Sequence, residues 1–345
     1  MPAGVFKETY RSDMAHLRYP IHYAGLIIGL ILAFSAPLYL KGYYLSQAIV
    51  FMIFLVAAVG LNITLGLAGL VSLAHGALMG AGAYTVALLA SRLGLNTLLV
   101  LPLAGLAAAG LGFILSLPSF KLKGYYLAMA SLAAQFILEY IYSFLAPEQY
   151  ISMPFETKEI NGVFFGEGVP LYYLGLVVTL ILLVVAANIG RGSLGRAMKA
   201  VRDNDVAAEI VGINVTRTKA LAFTIGGFYA GIAGGLYAIY SSGIGWEGFT
   251  LLTSIELLGM VLIGGPGRIV WGSILGVLLL KTGWTNLESY LSPWLISAGL
   301  DIIASSAKYI VLGVLIASFI IIEPEGFIAI LRRIKEYLRL WPYSY

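Results

Sequence analysis

The chain has 345 residues, of which 60% are hydrophobic and 11% charged, and its mean hydropathy is +0.91. This composition excludes a water-soluble globular protein, so the chain is predicted to be an integral membrane protein. We attribute its net charge of +4 to loops that face anionic lipid, and not to a nucleic-acid surface. The absence of cysteine excludes disulfides, thiolate metal sites and cysteine nucleophiles.

Apolar runs of roughly 20 residues, the length that crosses a bilayer, recur along the chain. They predict an all-α protein with a cytoplasmic segment at 1–23, a transmembrane domain at 24–323 and a cytoplasmic basic tail at 324–345. The count is about ten spans, or eight if residues 247–284 are re-entrant. The predicted spans are residues 24–40, 46–66, 70–91, 97–117, 124–146, 169–190, 218–240, 247–264, 269–284 and 301–322.

Positive charges predict the orientation, because loops rich in lysine and arginine stay in the cytoplasm. An amino terminus placed inside puts Lys121, Arg268 and residues 191–217 on the cytoplasmic side. Residues 147–168 then lie outside and carry four glutamates against one lysine. Three basic residues do not fit this orientation, namely Lys41, Arg92 and Lys281. We interpret each as an isolated charge at a helix end that extends toward the headgroups.

Residues 62–84 combine helix breakers with small residues at membrane depth. The glycines within 66–69 weaken a helix where only protein or a water-filled cavity can satisfy the freed backbone groups. A Gly-x3-Gly pair at 76–80 follows, and such a pair lets another helix approach closely. The same order recurs at 264–267 and 272–276. This pattern predicts an internal repeat with a pathway near the two breaks, unless glycine-rich helices match by chance.

Several residues near the breaks are candidates for lining a substrate pathway. An ionisable side chain inside a membrane is a functional-site hypothesis by default. Glu256 either binds an ammonium group, forms a structural pair or is a protonated acid bonded between helices. His75 either lines the route or bonds a neighbouring helix. The candidates are Asn62, Gly69, Ser72, His75 and Glu256.

Residues 191–219 are the one long polar interruption and hold six of the 21 lysines and arginines. At 100° per residue, the apolar residues of 194–201 share one face and the basic residues share the other. Residues 203–205 are able to cap a second short helix that stops at Gly212. Two short helices on the cytoplasmic side indicate that the loop is a docking surface for another protein. The alternative interpretation is a helix that lies in the headgroup layer and is held there by its basic residues.

The stretch 195–216, GRAMKAVRDNDVAAEIVGINVT, resembles the cytoplasmic loop of M-type permease subunits of branched-chain amino acid ABC importers. Residues 62–84, 122–135, 264–276 and 324–333 are similar to other segments of that family, so the resemblance covers most of the chain. ABC-importer permeases in general carry a Glu-Ala-Ala-x3-Gly motif in this loop. Residues 207, 208 and 212 match its spacing, whereas a valine replaces the glutamate at 206.

The resemblance implies a permease subunit of an ATP-driven importer that moves branched-chain amino acids (Leu, Ile, Val) or similar small polar solutes inward by alternating access. Its location would be the prokaryotic inner or plasma membrane, with both termini cytoplasmic. The implied partners are a second paralogous permease subunit, two ABC ATPase subunits and an extracytoplasmic solute-binding protein. ATP would serve the ATPase subunits, and this chain would hold no cofactor or metal. The residues expected to couple it to the ATPase are Arg196, Arg202, Asp203, Ala207, Ala208, Glu209 and Gly212.

The sequence is also compatible with other functions. The chain is not expected to be an enzyme, since it has no zinc-protease motif, nucleophile elbow or phosphate loop. Urea and short-chain amides are alternative solutes, because a related permease subfamily shares these motifs and residues 157–166 depart from the family's usual Gly-Gly-Ser-rich opening. An ion-coupled secondary transporter is the competing class, but it has no need for a capped two-helix loop. A scaffold without transport would not need paired helix breaks.

Overall fold

The computed structural model describes residues 20–122, 124–145, 150–160, 163–165, 168–283, 285–286, 297, 301–323 and 325–340. The all-α prediction is confirmed, and the expected 1–23 segment lies outside the described residues as far as residue 19. The helices are α1 (Pro20–Tyr39), α2 (Tyr43–Leu61), α3 (His75–Leu93), α4 (Thr97–Ser116), α5 (Tyr125–Leu145), α6 (Gly168–Arg191), α7 (Ser193–Asp203), α8 (Asp205–Ile210), α9 (Val215–Ser241), α10 (Leu251–Gly264), α11 (Ile269–Val277), α12 (Asp301–Ile322) and α13 (Phe327–Leu340).

Two helices continue as π-helices, α2 over Asn62–Leu67 and α11 over Leu278–Gly283. Short 3-10 turns lie at Leu117–Phe120, Phe155–Lys158 and Trp246–Phe249.

Two small antiparallel strand pairs lie in the segments that join helices. Strand β1 (Ile151–Ser152) pairs with β4 (Gly243–Ile244), with Ile151 opposite Ile244. Strand β2 (Glu159–Ile160) pairs with β3 (Val163–Phe164). The first pair joins the connection between α5 and α6 to the end of α9.

The expected count of ten spans is not confirmed. Among the described residues, seven helical stretches are long and apolar enough to cross a membrane, and an eighth results if α12 and α13 are one span bent by 51°. Two further apolar helices, Ala24–Tyr39 and Ile269–Gly283, are shorter. The span expected at 70–91 begins only at His75, since residues 68–74 are not helical. The seven are Tyr43–Leu67, His75–Leu93, Thr97–Phe120, Tyr125–Leu145, Gly168–Arg191, Val215–Ser241 and Trp246–Gly264.

Helix α9 lies at the centre of the bundle and packs against α2, α3 and α4. Its glycines permit direct backbone contact: a Cβ on Gly234 would overlap the carbonyl of Met79 in α3. A Cβ on Gly227 would lie 2.6 Å from the carbonyl oxygen of Ala108 in α4. Close packing of small residues holds helices together in a membrane, where lipid is as apolar as leucine.

Helices α10 and α11 form a second tight contact on either side of the 264–267 break. A Cβ on Gly276 would overlap the carbonyl of Met260, and one on Gly264 would overlap the carbonyl of Gly272. The close approach expected from the Gly-x3-Gly pair at 272–276 is therefore present, and its partner is the preceding helix.

Candidate functional site

The 191–217 loop folds as the two short helices that the sequence predicts. The Asn204 side chain caps α8 by accepting a 3.0 Å hydrogen bond from the amide of Ala207. Gly212 has a φ of 87°, in the left-handed region that suits the residue after a helix. On α7, Met198 and Val201 are buried, as the apolar face requires.

A buried ion pair fixes the start of α8 against the bundle. The Lys219 ammonium in α9 lies 3.2 Å from the Asp205 carboxylate, and Lys219 is only 4% exposed. The same ammonium is 3.4 Å from the carbonyl oxygen of Ser119, after α4. Helix α8 is thereby tied to two membrane-spanning helices.

The exposed face of α8 carries an apolar patch beside Glu209, which the sequence reasoning did not identify. Ala208 is 2% exposed, so it packs within this chain instead of facing a partner, and of the two expected alanines only Ala207 is exposed. Exposure is instead 62% at Val206, 81% at Ile210 and 74% at Val211. The sequence contains one indication of this patch: Val206 and Ile210 are four residues apart, so they lie on the same side of a short helix.

An open groove of about 580 Å³ runs beside this face. It is lined by Phe120, Asp205, Val206, Glu209, Gly212, Ile213, Asn214, Val215, Thr216 and Lys219.

Arg202 turns from α7 toward the first helix break. Its guanidinium donates a 2.8 Å hydrogen bond to the carbonyl of Gly66 and pairs with Asp203 at 3.2 Å. Gly69, with a φ of 69°, leaves room for the arginine stem, since a Cβ there would be 2.5 Å from Arg202 Cγ. The sequence placed Arg202 on the polar face of α7, and the structure shows that it reaches the bundle.

Asn62 joins the first break to the second. Its Oδ1 accepts a 2.8 Å hydrogen bond from the amide of Gly267, and its Nδ2 donates to Ser273 Oγ at 3.1 Å. A Cβ on Gly66 would overlap the backbone of Gly267. The two breaks therefore meet, and Arg202 lies where they meet, since a Cβ on Gly267 would be 3.2 Å from its Nη1.

Arg196 and Glu209, which are also expected to couple the chain to the ATPase, do not reach the helix breaks. Arg196 donates a 2.9 Å hydrogen bond to the carbonyl of Arg191, the last residue of α6. Glu209 is exposed on α8.

Helix α3 starts inside the bundle, at His75. The His75 Nε2 lies 3.2 Å from the carbonyl oxygen of Ala57 in α2. A carbonyl only accepts, so this nitrogen carries the proton, and the histidine bonds a neighbouring helix. Ser72, just before the helix, is 1% exposed, and its hydroxyl has no hydrogen-bond partner among the described residues.

A glutamine network that the sequence analysis missed satisfies the first amides of α3. Gln135 Oε1 accepts hydrogen bonds from the amide of Ala77 at 3.0 Å and from Ser254 Oγ at 2.9 Å. Its Nε2 donates to the carbonyl of Phe249 at 2.8 Å, and Ser254 Oγ accepts from the amide of Gly76 at 2.8 Å. A helix that begins at membrane depth needs such partners. In the sequence, the only indication of this network is Gln135, a single glutamine within an apolar span.

Glu256 pairs with Lys281, although the sequence predicts a Lys281 that extends from a helix end toward the headgroups. The Glu256 Oε1 and Lys281 Nζ atoms are 3.2 Å apart. The ammonium also lies 3.8 Å from the centre of the Phe54 ring. Lys281 therefore points into the bundle, which corrects the earlier interpretation.

Helices that cross the membrane, two breaks that meet, and a capped two-helix loop joined to them define a polytopic α-helical membrane protein with the features of a transporter. Residues 43–321 match the family described as branched-chain amino acid transport system / permease component, and the chain belongs to this family. The resemblance read from the sequence is thus confirmed.

Individual relatives agree with this assignment. The chain is 32% identical over 264 residues to the high-affinity branched-chain amino acid transport system permease protein LivM of Salmonella typhimurium, covering 69% of this chain and 62% of that protein. The Escherichia coli protein of the same name is 32% identical over 268 residues, with 70% and 63% covered. The ribose import permease protein RbsC of Bacillus subtilis is 34% identical over 129 residues, with 34% and 38% covered. The chain thus spans less than two thirds of the length of both LivM proteins. No solved structure gives a significant match.

Proposed function

We propose that the chain is the membrane-spanning permease subunit of an ATP-driven ABC importer that moves branched-chain amino acids, or similar small polar solutes, into the cell. The observation that carries this proposal is the contact between the 191–217 loop and both helix breaks through Arg202. A loop built in this way is able to pass a movement at the membrane surface into the spans. The family assignment and the two LivM relatives support the same function.

The exposed face of α8 and its groove are the proposed docking surface for an ABC ATPase. Val206, Ile210 and Val211 form an apolar patch beside the acidic residues Asp205 and Glu209, on a loop that is otherwise polar. Exposed apolar side chains rimmed by polar ones are typical of a protein interface. Two such ATPase subunits would hydrolyse ATP, so the chain itself would need no cofactor.

Membership of the family supports the remaining proposed partners. A second, paralogous permease would complete the pore, and a solute-binding protein would deliver the solute on the side of residues 147–168. That side would be extracytoplasmic, with both termini in the cytoplasm and the chain in the inner membrane. The basic residues of the 191–217 loop support this orientation.

We place the solute route beside Ser72, His75 and Glu256, three polar residues within the bundle. Ser72 offers a buried hydroxyl without a partner among the described residues, and Glu256 offers a carboxylate. We assign Asn62 and Gly69 a different role, since their contacts hold the two breaks and Arg202 together. Movement at these breaks would open or close the route.

Reconstituted vesicles test the proposal. The assembled importer should take up leucine with ATP and its binding protein and without any ion gradient. Ile210→Asp should abolish this uptake, because a charge replaces an apolar docking residue that is 81% exposed. Ile334→Asp on α13 is the matched control, because it puts the same charge on an isoleucine that is 50% exposed but does not line the groove, and it should have a smaller effect.

Uptake that follows an ion gradient and ignores both ATP and Ile210→Asp would instead assign a secondary transporter. ATP-driven uptake of urea or amides without leucine would keep the importer and change its solute.

A further inference from the structure

Two opposite charges meet inside the bundle, between the helices on either side of the second break. Glu256 lies on α10 and Lys281 on the π-helical continuation of α11, and their charged atoms are 3.2 Å apart. The Lys281 ammonium also faces the ring of Phe54 on α2, 3.8 Å from its centre, within the range of a cation–π contact. Three helices thus meet at one ion pair.

The pair lies deep in the membrane. Phe54 is near the middle of the 25-residue span Tyr43–Leu67, and this position puts the charges near the bilayer centre. The side chains of Lys281 and Glu256 nevertheless remain 21% and 10% exposed on this chain. Lipid against a charge at this depth is unfavourable, so the exposed part must face protein or a water-filled route.

A structural role alone explains the pair poorly. Replacing a buried ion pair by apolar residues often leaves a protein equally stable or more stable. Lys281 also lies on a π-helical segment, a rare conformation that is frequent at functional sites. Charged residues inside membrane proteins commonly mark substrate pathways.

We propose that Glu256 and Lys281 form a subsite for the zwitterionic head group of an α-amino acid in transit. The solute's ammonium group binds the Glu256 carboxylate while its carboxylate binds the Lys281 ammonium. One ion pair is exchanged for two charge-assisted contacts, so no charge is left unpaired. This inference rests on the proposed function and names the solute chemistry of the proposed route.

The subsite separates the two candidate solute classes by charge. An amino acid carries both charges that are needed to take the pair apart. Urea and short-chain amides carry neither, and their dipoles compensate a separated buried pair only in part. The pair therefore favours amino acids over amides.

The test uses the double variant Glu256→Gln/Lys281→Met in the reconstituted importer, with leucine uptake measured per ATP hydrolysed. Assembly and thermal unfolding should stay near wild type, because both charges are removed together. Leucine uptake per ATP should fall roughly tenfold or more, since two charge-assisted contacts are lost. The matched control is Glu323→Gln/Arg333→Gln, which removes an ion pair of 2.6 Å between the end of α12 and α13 and should leave uptake unchanged.

Full leucine uptake by the double variant would make the pair structural and overturn the subsite alone. If the double variant does not assemble, Glu256→Asp and Lys281→Arg keep both charges but change their spacing. Each should lower leucine uptake per ATP, and unchanged uptake in both would overturn the subsite. A wild-type importer that moves amides and no amino acid would overturn the proposed solute and the subsite together.

Discussion

Arg202 donates a 2.8 Å hydrogen bond to the carbonyl of Gly66, so the last turn of α7 is joined directly to the first helix break. Asn62 bonds the amide of Gly267 from the same π-helical segment, and this contact brings the second break to the same place. The two breaks therefore have one shared connection to the loop, and a movement of α7 would act on both at once.

Arg202→Lys should uncouple ATP hydrolysis from transport. A lysine has one point charge and lacks the guanidinium fork, so it cannot hold the Gly66 carbonyl and Asp203 in the same geometry. A hydrogen bond from a charged group contributes about 1.5–3 kcal/mol, so solute uptake per ATP should fall roughly tenfold while ATP hydrolysis continues. Arg196→Lys is the control, because the Arg196 hydrogen bond goes to Arg191, at the end of α6, and not to a helix break. Equal losses in both variants would argue against a special role for the Gly66 contact.

Gly234→Ala should destabilise the bundle. The new Cβ would overlap the carbonyl of Met79, and overpacking of this kind costs about 1–3 kcal/mol or more. Gly110→Ala in α4 is the matched control, because nothing lies within 4 Å of its Cβ position. In that variant, alanine should leave stability unchanged or raise it by about 0.5–1 kcal/mol. Thermal unfolding in detergent measures both, and similar midpoints would contradict the close contact between α9 and α3.

The features that the sequence predicts well are those with local signals. The cap at Asn204, the stop at Gly212 and the break at 66–69 depend on the intrinsic preferences of a few neighbouring residues. The burial of Ala208 could not be predicted in this way, because it depends on how α8 lies against the bundle.

Contacts between distant residues account for most of what the sequence did not show. Arg202 and Gly66 are 136 positions apart, and no periodicity relates them. Lys281 and Glu256 are 25 apart, on two helices whose apposition follows from the turn at 264–267. The sequence marks Glu256 as unusual at membrane depth and Lys281 only as a charge at a helix end, and the packing of α10 against α11 brings the two together.

Orientation is testable because the natural chain contains no cysteine. Glu159→Cys, in the connection between α5 and α6, should react with a membrane-impermeant thiol reagent added to whole cells. Ile210→Cys on α8 should react only after the membrane is opened, although its side chain is 81% exposed. Labelling of Ile210→Cys in intact cells would reverse the proposed topology.

Asp205→Asn should loosen α8 from the bundle. The substitution leaves the Lys219 ammonium, 4% exposed, without its carboxylate. A buried charge that loses its partner can cost about 3–5 kcal/mol, and the asparagine amide offsets part of this. Limited trypsin digestion should therefore cut the 191–217 loop faster, and thermal unfolding should shift down. The double variant Asp205→Asn/Lys219→Met removes the unpaired charge and should restore most of both properties. Wild-type digestion of the single variant would show that other contacts hold α8, and failure of the double variant to recover would show that Asp205 acts through a group other than Lys219.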